Sequence, residues 1–479
     1  MLINKELNQA ILSSLMGKYS LYVFQVLSLA ILARIFTPEM FGVVAAFQVF
    51  ILFFQLLATS GLAPAIIYKN SLSSVERDGV FSFMLLVGMI GAGLFFFLTP
   101  YLSSWLGIDD VAILSWVFAF NVLFSSLSVV PMASLQKDAK FIVLNGSEII
   151  SEVISLILTL FLFYIGYEIE ALASKLLFVP VFRFVFYYFG SKQTTLGRPS
   201  LGRKISSVSV LYEFAKYQLA FNVFNYFSRN LDTILIAKYF GVAVVGFYEK
   251  SYQVMRYPLQ LFTFAITPAL QPILTKYKHR LDLVESAYYP VVLKLALLGF
   301  FVSWVLFWGA RHVVYIMFGP QWQQVAEYLS ILAVSIPLQM VLSSTGGVYQ
   351  AVGEARLQFY CGVFSGIVNV LMILIGVYLG DIALLCLLLV VGFVVNFIQC
   401  FWMLQVYVFN SKKYVYMFLI SVVVLFPYLN LIFIGHVNRL SEMNFAYFDS
   451  FLTLFCIASG SFVFTFSIFL VIKRFVFRS

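Results

Sequence analysis

The stretch Tyr217-QLAFNVFNYFSRNLDTILIAKYFGVAVVGFYEKSYQVMRY-Pro258 holds two apolar segments and more fixed charge than any other bilayer-length part of the sequence. In the first segment Gln218, Asn222, Asn225, Arg229 and Asp232 recur at steps of four, three, four and three, which on an α-helix forms one polar stripe. Glu249, Tyr252 and Arg256 share one face of the second segment, just ahead of Pro258. In a membrane each such charge costs roughly 2.5–3.5 kcal/mol at the bilayer centre unless it faces a partner or a water-filled cavity. The stripe therefore predicts a polar counterpart opposite it.

Composition places the chain in the membrane. Of its 479 residues 62% are hydrophobic and 11% charged, with a mean hydropathy of +0.97, which exceeds what a soluble core of this length needs. The net charge of +9 would suggest nucleic acid in a soluble protein; here it is assigned to cytoplasmic loops, and nucleic acid is not expected as a partner. Cys361, Cys386, Cys400 and Cys456 fall inside apolar runs without C-x-x-C spacing and read as small hydrophobes. His279, His312 and His436 are scattered, so no metal site and no cofactor are expected. The N-terminus lacks the cleavage pattern of a secretory signal, and its first apolar run continues to spanning length, as a retained helix does.

At about 20 apolar residues per span, about fourteen candidates follow: 11–33, 40–62, 80–100, 111–133, 142–165, 169–190, 210–236, 243–272, 288–309, 324–345, 359–379, 382–406, 414–434 and 450–472. The basic residues occupy every second loop: Lys5; Lys69 and Arg77; Lys137 and Lys140; Lys192, Arg198, Arg203 and Lys204; Lys276, Lys278 and Arg280; Arg356; Lys412 and Lys413; Lys473, Arg474 and Arg478. Positive charge near span ends favours the cytoplasm, so both termini are expected there. Lys238, Arg311 and Arg439 depart from the alternation.

Residues 191–209 form the longest hydrophilic stretch and read as a cytoplasmic linker between an N-terminal lobe, 1–190, and a C-terminal lobe, 210–410, with 411–479 left as two further helices. Across the linker lies an internal repeat. A gapless shift of 204 positions places Tyr22 on Tyr226, Ala33 on Ala237, Phe36 on Phe240, Gly42 on Gly246, Thr59 on Thr263 and Pro64 on Pro268. It also places Ser14, Lys18, Gln25 and Ser28 on Gln218, Asn222, Arg229 and Asp232. Each lobe has an even number of spans and starts on the same side, so the expected fold is all-α and polytopic: two six-helix lobes related by a pseudo-twofold along the membrane normal. A cavity on that axis would receive both stripes.

The stretch Leu32-Ala-Arg-Ile-Phe-Thr-Pro-Glu-Met-Phe-Gly42, the run Arg229-Asn-Leu-Asp-Thr-Ile-Leu-Ile-Ala-Lys-Tyr-Phe-Gly241 with Val245-Gly-Phe-Tyr248, Pro258, and Phe318-Gly-Pro-Gln-Trp322 resemble a known family. They look like the bacterial lipid-linked oligosaccharide flippases of the O-antigen and colanic-acid type, within the multidrug/oligosaccharidyl-lipid/polysaccharide exporter superfamily. The resemblance covers about the first 410 residues. It implies two six-helix lobes around a central cavity, alternating access, and an undecaprenyl-diphosphate-linked glycan carried from the inner to the outer leaflet. The setting it implies is the bacterial cytoplasmic (inner) membrane, in lipopolysaccharide or exopolysaccharide synthesis beside other polysaccharide assembly proteins.

Such cargo presents an anionic diphosphate, and arginine suits phosphate through its planar bidentate fork. The cavity candidates are Arg256, Arg229, Lys294 and Lys18 for the anion, with Asn222, Asn225, Gln25 and Tyr252 as further substrate-binding candidates on or beside the polar faces, Tyr252 for stacking on the glycan. Arg256 lies about 20 Å along its helix and is the first choice; the alternative is a structural ion pair with Glu249 or another carboxylate. Pro258 removes a backbone donor two residues later and can kink the helix. Arg229 and Asp232 can neutralise each other, Lys18 and Lys294 can snorkel to the interface, and Lys250 lies off the Arg256 face. Glu148, Glu152, Lys175 and Arg183 are read as interlobe or interhelix pairs and are secondary candidates. Asp232 and Glu249 are the coupling-ion candidates.

Three other functions compete. A drug or cation exporter of the same superfamily would want a carboxylate-lined cavity, whereas basic residues outnumber acidic ones in the central helices. A membrane glycosyltransferase or polymerase would need a sizeable external domain, and the longest external loop expected, 435–449, is too short, so no enzymatic activity is expected. A scaffold for a glycan assembly complex is the fourth reading.

Overall fold

The computed structural model describes residues 2–59, 62–69, 72–108, 112–409, 450, 453–459, 461 and 465. Among them all regular structure is helical: α1 (Leu2–Ile35), α2 (Pro38–Thr59), α3 (Leu62–Tyr68), α4 (Ser74–Leu106), α5 (Ala112–Leu127), α6 (Val129–Lys137), α7 (Phe141–Ile165), α8 (Ile169–Gly190), α9 (Ser209–Phe240), α10 (Val242–Thr275), α11 (Leu281–Met317), α12 (Gln323–Ala333), α13 (Ile336–Val352), α14 (Ala355–Leu379) and α15 (Ile382–Met403). Eight helical segments among the described residues are long and apolar enough to cross a membrane, nine with one bent pair counted as a span. α8, α9 and α10 have spanning length too, at 22, 32 and 34 residues, and α9 and α10 carry the charged stripes. The spans expected at 414–434 and over most of 450–472, with Lys412, Lys413, Lys473, Arg474 and Arg478, lie outside the described residues.

Several expected boundaries are corrected. The runs at 142–165, 169–190 and 359–379 are α7, α8 and α14 to within a few residues, but 111–133 is two helices, α5 and α6, parted at Ser128. The run at 324–345 is likewise α12 and α13, bent by 57°. Pro258 does not interrupt α10, which is a single helix through it. The breaks lie instead where a serine precedes a proline. Pro131 and Pro337 leave the Leu127 and Ala333 carbonyls without their intrahelical donors. Ser128 and Ser335 turn their hydroxyls back onto Phe124 O (2.8 Å) and Leu332 O (2.6 Å), which favours bending. Pro337 is two residues from the position to which the 204-residue shift would carry Pro131, so the two halves repeat this device.

The chain divides into two compact units, Met1–Gly246 and Phe247–Ser479. In the first, α5 packs between α4 and α8, α7 lies between α8 and α1, and α2 contacts α5 and α9. Its apolar core includes Ile66 of α3, Met84 of α4 and Ala133 of α6. A polar knot sits among the first unit's helices. Gln55 of α2 donates to Asn121 Oδ1 (2.5 Å) and Ser125 Oγ (2.8 Å) of α5, and Asn121 donates to the Leu176 carbonyl of α8 (2.5 Å). Leu176 is four residues before Pro180, so its carbonyl is the one that Pro180 deprives of a donor. Asn121 replaces the missing bond.

At one end of this unit the expected cytoplasmic loops converge. Ser73 and Glu76 form a capping box that starts α4, Lys69 pairs with Glu76 (3.1 Å), and Lys137 donates to the Lys69 carbonyl that follows α3. The stretch after α8, expected to be a cytoplasmic linker, is strapped to the same end. Thr194 and Thr195 bond Ser134 (2.5 Å) and Asp138 (Thr195 Oγ1–Oδ1, 2.8 Å). Leu196 O accepts from Arg77, Ser200 donates to both Asp78 oxygens (2.9 and 2.8 Å), and Gly202 N donates to Ser82 Oγ (2.8 Å). Its serines, threonines and one glycine supply the donors, which is why a polar stretch can be ordered here.

In the second unit α11 packs on α12 and α13, and α15 contacts α12, α13 and α14. Tyr288 of α11 bonds Ser344 of α13 (2.8 Å), and Tyr349 of α13 donates to Cys400 O of α15 (3.0 Å). α11 approaches the bent pair closely: a Cβ on Gly299 would lie 2.6 Å from Pro337 Cα. Cys361, Cys386 and Cys400 are buried and Cys456 exposed.

Candidate functional site

The charged face of α10 is built as a ladder. Tyr248, Tyr252 and Arg256 are spaced by four, so each side chain stacks on the next. The Tyr248 and Tyr252 rings lie 5.5 Å apart, and the Arg256 guanidinium sits 4.6 Å from the centre of the Tyr252 ring. Both tyrosines are buried while Arg256 is exposed. A guanidinium over an aromatic face is attracted by the ring's negative potential, which helps fix where the charge sits.

A second row on α10 is polar. Lys250 donates to Gln253 (3.2 Å), and Gln253 donates to the Tyr257 hydroxyl (2.8 Å). Two further positions hold the helix in place. Ser251 donates to Val325 O of α12 (3.0 Å), and Met255 Sδ accepts from Gln339 (3.6 Å) and Ser335 (3.8 Å) at the bend between α12 and α13. Arg256 is thus carried by a helix tied to the bent pair.

The remaining candidates are distributed as follows. Lys18 on α1, Arg229 on α9 and Lys294 on α11 are exposed. Gln25, Asn222 and Glu249 are half-buried, and Asp232 is buried with its Oδ1 accepting Thr233 N–H (2.9 Å). The side chain of Asn225 lies outside the described residues, as do those of Gln218 and Ser14. Tyr252 and Arg256 are therefore brought into direct contact. Lys18, Gln25, Asn222, Arg229 and Asp232 belong to the first unit, and Glu249, Tyr252, Arg256 and Lys294 to the second.

The stripe on α1 is split. Ser28, expected to face a cavity with Lys18 and Gln25, is buried and accepts a hydrogen bond from Lys175. The interhelix pairing expected of Lys175 and Glu152 is present at 2.7 Å, and Glu148 accepts from the buried Tyr187 hydroxyl (2.9 Å). The Gln55–Asn121–Ser125 knot was not anticipated, although Pro180 in a membrane helix marked the carbonyl that needs a donor. Among the described residues no group of three or more His, Cys, Asp or Glu can hold a metal ion.

The chain matches the family model described as polysaccharide biosynthesis protein over residues 31–327. It is 24% identical over 346–354 residues to two proteins; one is the lipopolysaccharide biosynthesis protein WzxC of Escherichia coli (strain K12), aligned over 73% of this chain and 70% of that one. It is 21% identical to the teichuronic acid biosynthesis protein TuaB of Bacillus subtilis (strain 168), over 80% of this chain and 79% of TuaB. Its fold is that of the lipid II flippase MurJ in an inward closed conformation, with a TM-score of 0.75 at 13% identity over 97% of this chain and 99% of that one.

Proposed function

We propose that this chain, which belongs to the polysaccharide biosynthesis protein family, is a flippase. It carries an undecaprenyl-diphosphate-linked oligosaccharide from the cytoplasmic to the outer leaflet for surface polysaccharide synthesis. Relatives named for lipopolysaccharide and teichuronic acid biosynthesis, and the fold of a lipid II flippase, support this cargo class. The observation that carries the reading is Arg256: an exposed guanidinium seated on the ring of buried Tyr252. A diphosphate accepts the planar bidentate fork that an arginine donates.

In this reading Arg229, Lys18 and Lys294 share the anion, while Asn222, Asn225, Gln25 and Tyr252 bind the hydroxyl-rich glycan. Asp232 and Glu249 bind or release the coupling ion. The architecture proposed with it has fourteen spans in the bacterial inner membrane with both termini in the cytoplasm. The lobes are 1–190 and 210–410, joined by 191–209 and related by a pseudo-twofold along the membrane normal, with 411–479 supplying two further helices. The lobes rock to expose the site to each side in turn, beside other polysaccharide assembly proteins.

The test is reconstitution with a fluorescent undecaprenyl-diphosphate-linked oligosaccharide and measurement of leaflet crossing. Wild-type protein is expected to accelerate crossing, and Arg256→Ala and Lys294→Ala to lose it while still inserting. Normal crossing in both variants would reject the site; glycosyl transfer by the purified protein would reject the flippase in favour of an enzyme.

A further inference from the structure

The first unit holds a buried charge pair that cargo binding does not use. Lys175 of α8 donates to Glu152 of α7 (2.7 Å) and to the Ser28 hydroxyl of α1 (2.6 Å). The Lys175 and Glu152 side chains are 18% and 8% exposed, and Ser28 is 1% exposed. Desolvation offsets most of the attraction in such a pair, so stability alone is a weak reason for a lysine here. What the ammonium adds is direction: its bond to Ser28 fixes α1 in rotation.

A second key lies eleven residues earlier on α1, about three turns away and on the same face. There a Cβ on Gly17 would overlap the Asn145 side chain of α7. α1 is therefore seated on the bundle along the line through Gly17 and Ser28. Gln25 lies about 60–80° and Lys18 about 80–100° round the helix from that line, and in this seating Lys18 is exposed and Gln25 half-buried. A slip of one residue rotates a helix by about 100°, enough to turn one of them into the bundle.

We infer that Lys175 and Glu152 are positioning residues: through Ser28 they set the rotation of α1 and hold Lys18 and Gln25 on the face that takes the anionic, hydroxyl-rich headgroup. The inference deepens the flippase reading and rests on it. Ser28→Ala separates positioning from stability, because it cuts the tie to α1 and leaves the Glu152–Lys175 pair in place.

In proteoliposomes with a fluorescent undecaprenyl-diphosphate-linked oligosaccharide, Ser28→Ala is expected to raise KM about tenfold, the scale of one lost bond to a charged group, with little change in kcat. Ser28→Thr restores the wild-type KM. Glu152→Gln and Lys175→Met raise KM as well, and the exchanged pair E152K/K175E, in which Ser28 donates to the carboxylate, lowers it again. A second readout needs no transport: the maleimide labelling rate of a Gln25→Cys variant shifts several-fold when Ser28→Ala is added and returns with Ser28→Thr. An unchanged KM or an unchanged labelling rate in Ser28→Ala overturns the positioning role. If the wild-type protein moves no labelled lipid, the flippase reading is what fails, and the labelling rates alone then uphold or reject the positioning role.

Discussion

Gly42 and Gly246 meet backbone to backbone, and each leaves no room for a side chain on the other helix. A Cβ on Gly42 would overlap the Val242 carbonyl and lie 3.2 Å from Gly246 N; a Cβ on Gly246 would overlap the Pro38 carbonyl and lie 3.2 Å from Gly42 N. The 204-residue shift that pairs Gly42 with Gly246 also pairs Pro38 with Val242, so the contact is its own image under the repeat. Two helix starts cross here at backbone distance, which glycine alone permits.

Gly42→Ala and Gly246→Ala are therefore expected to destabilise the protein by similar amounts, about 1–3 kcal/mol each, as overpacking does. The double substitution should cost less than the sum, because one displacement of the helices relieves both overlaps. Thermal unfolding in detergent measures this; fully additive losses would argue against a shared contact.

The knot at Asn121 makes a second prediction. Asn121→Leu strands the Leu176 carbonyl that Pro180 already deprives of a donor, at about 1–3 kcal/mol. In Pro180→Ala the helix can supply its own donor, so Asn121→Leu should cost at least about 1 kcal/mol less in that background. A double-mutant cycle without coupling would dissociate Asn121 from the proline.

The strap after α8 predicts protease resistance. Asp78→Ala and Asp138→Ala remove the acceptors of Ser200 and Thr195, and trypsin cleavage after Arg203 and Lys204 should quicken about tenfold for each 1.4 kcal/mol of lost local stability. Cleavage at the wild-type rate in the double variant would mean that these bonds do not hold the strap.

Ala139, between α6 and α7, adopts φ 52°, the left-handed region that costs a residue with a Cβ about 1–2 kcal/mol. Ala139→Gly is expected to stabilise by a fraction of that, since glycine's extra freedom in the unfolded chain opposes the gain. A lowered melting temperature would contradict the strain.

At the proposed anion site, Tyr252→Leu removes the ring beneath Arg256 and should weaken cargo binding several-fold, in line with about 0.5–2 kcal/mol for a cation–π contact. Arg256→Lys keeps the charge but not the fork and should fall below wild type. Equal transport by Arg256→Lys would show that point charge suffices.

Membrane residence and most helix positions were legible in the sequence, because hydropathy, proline and glycine act locally and survive in the order of residues. Even the pairing of Lys175 with Glu152 could be anticipated, since charges in apolar helices need partners. What the sequence could not convey was direction. Ser28 sits within the same stripe as Lys18 and Gln25, yet it turns into the bundle, because the side of a helix that is buried depends on which neighbours pack against it. The linker likewise read only as a hydrophilic connection, and only the placement of Asp78 and Asp138 across from it turned its hydroxyls into bonds. By itself the sequence determined an all-helical membrane chain with charged residues set on its helices. The tertiary structure alone decided that Asn121 rescues the Leu176 carbonyl, that Gly42 and Gly246 share one crossing, and that Lys175 holds α1, since each joins groups far apart in sequence through packing that no local pattern encodes.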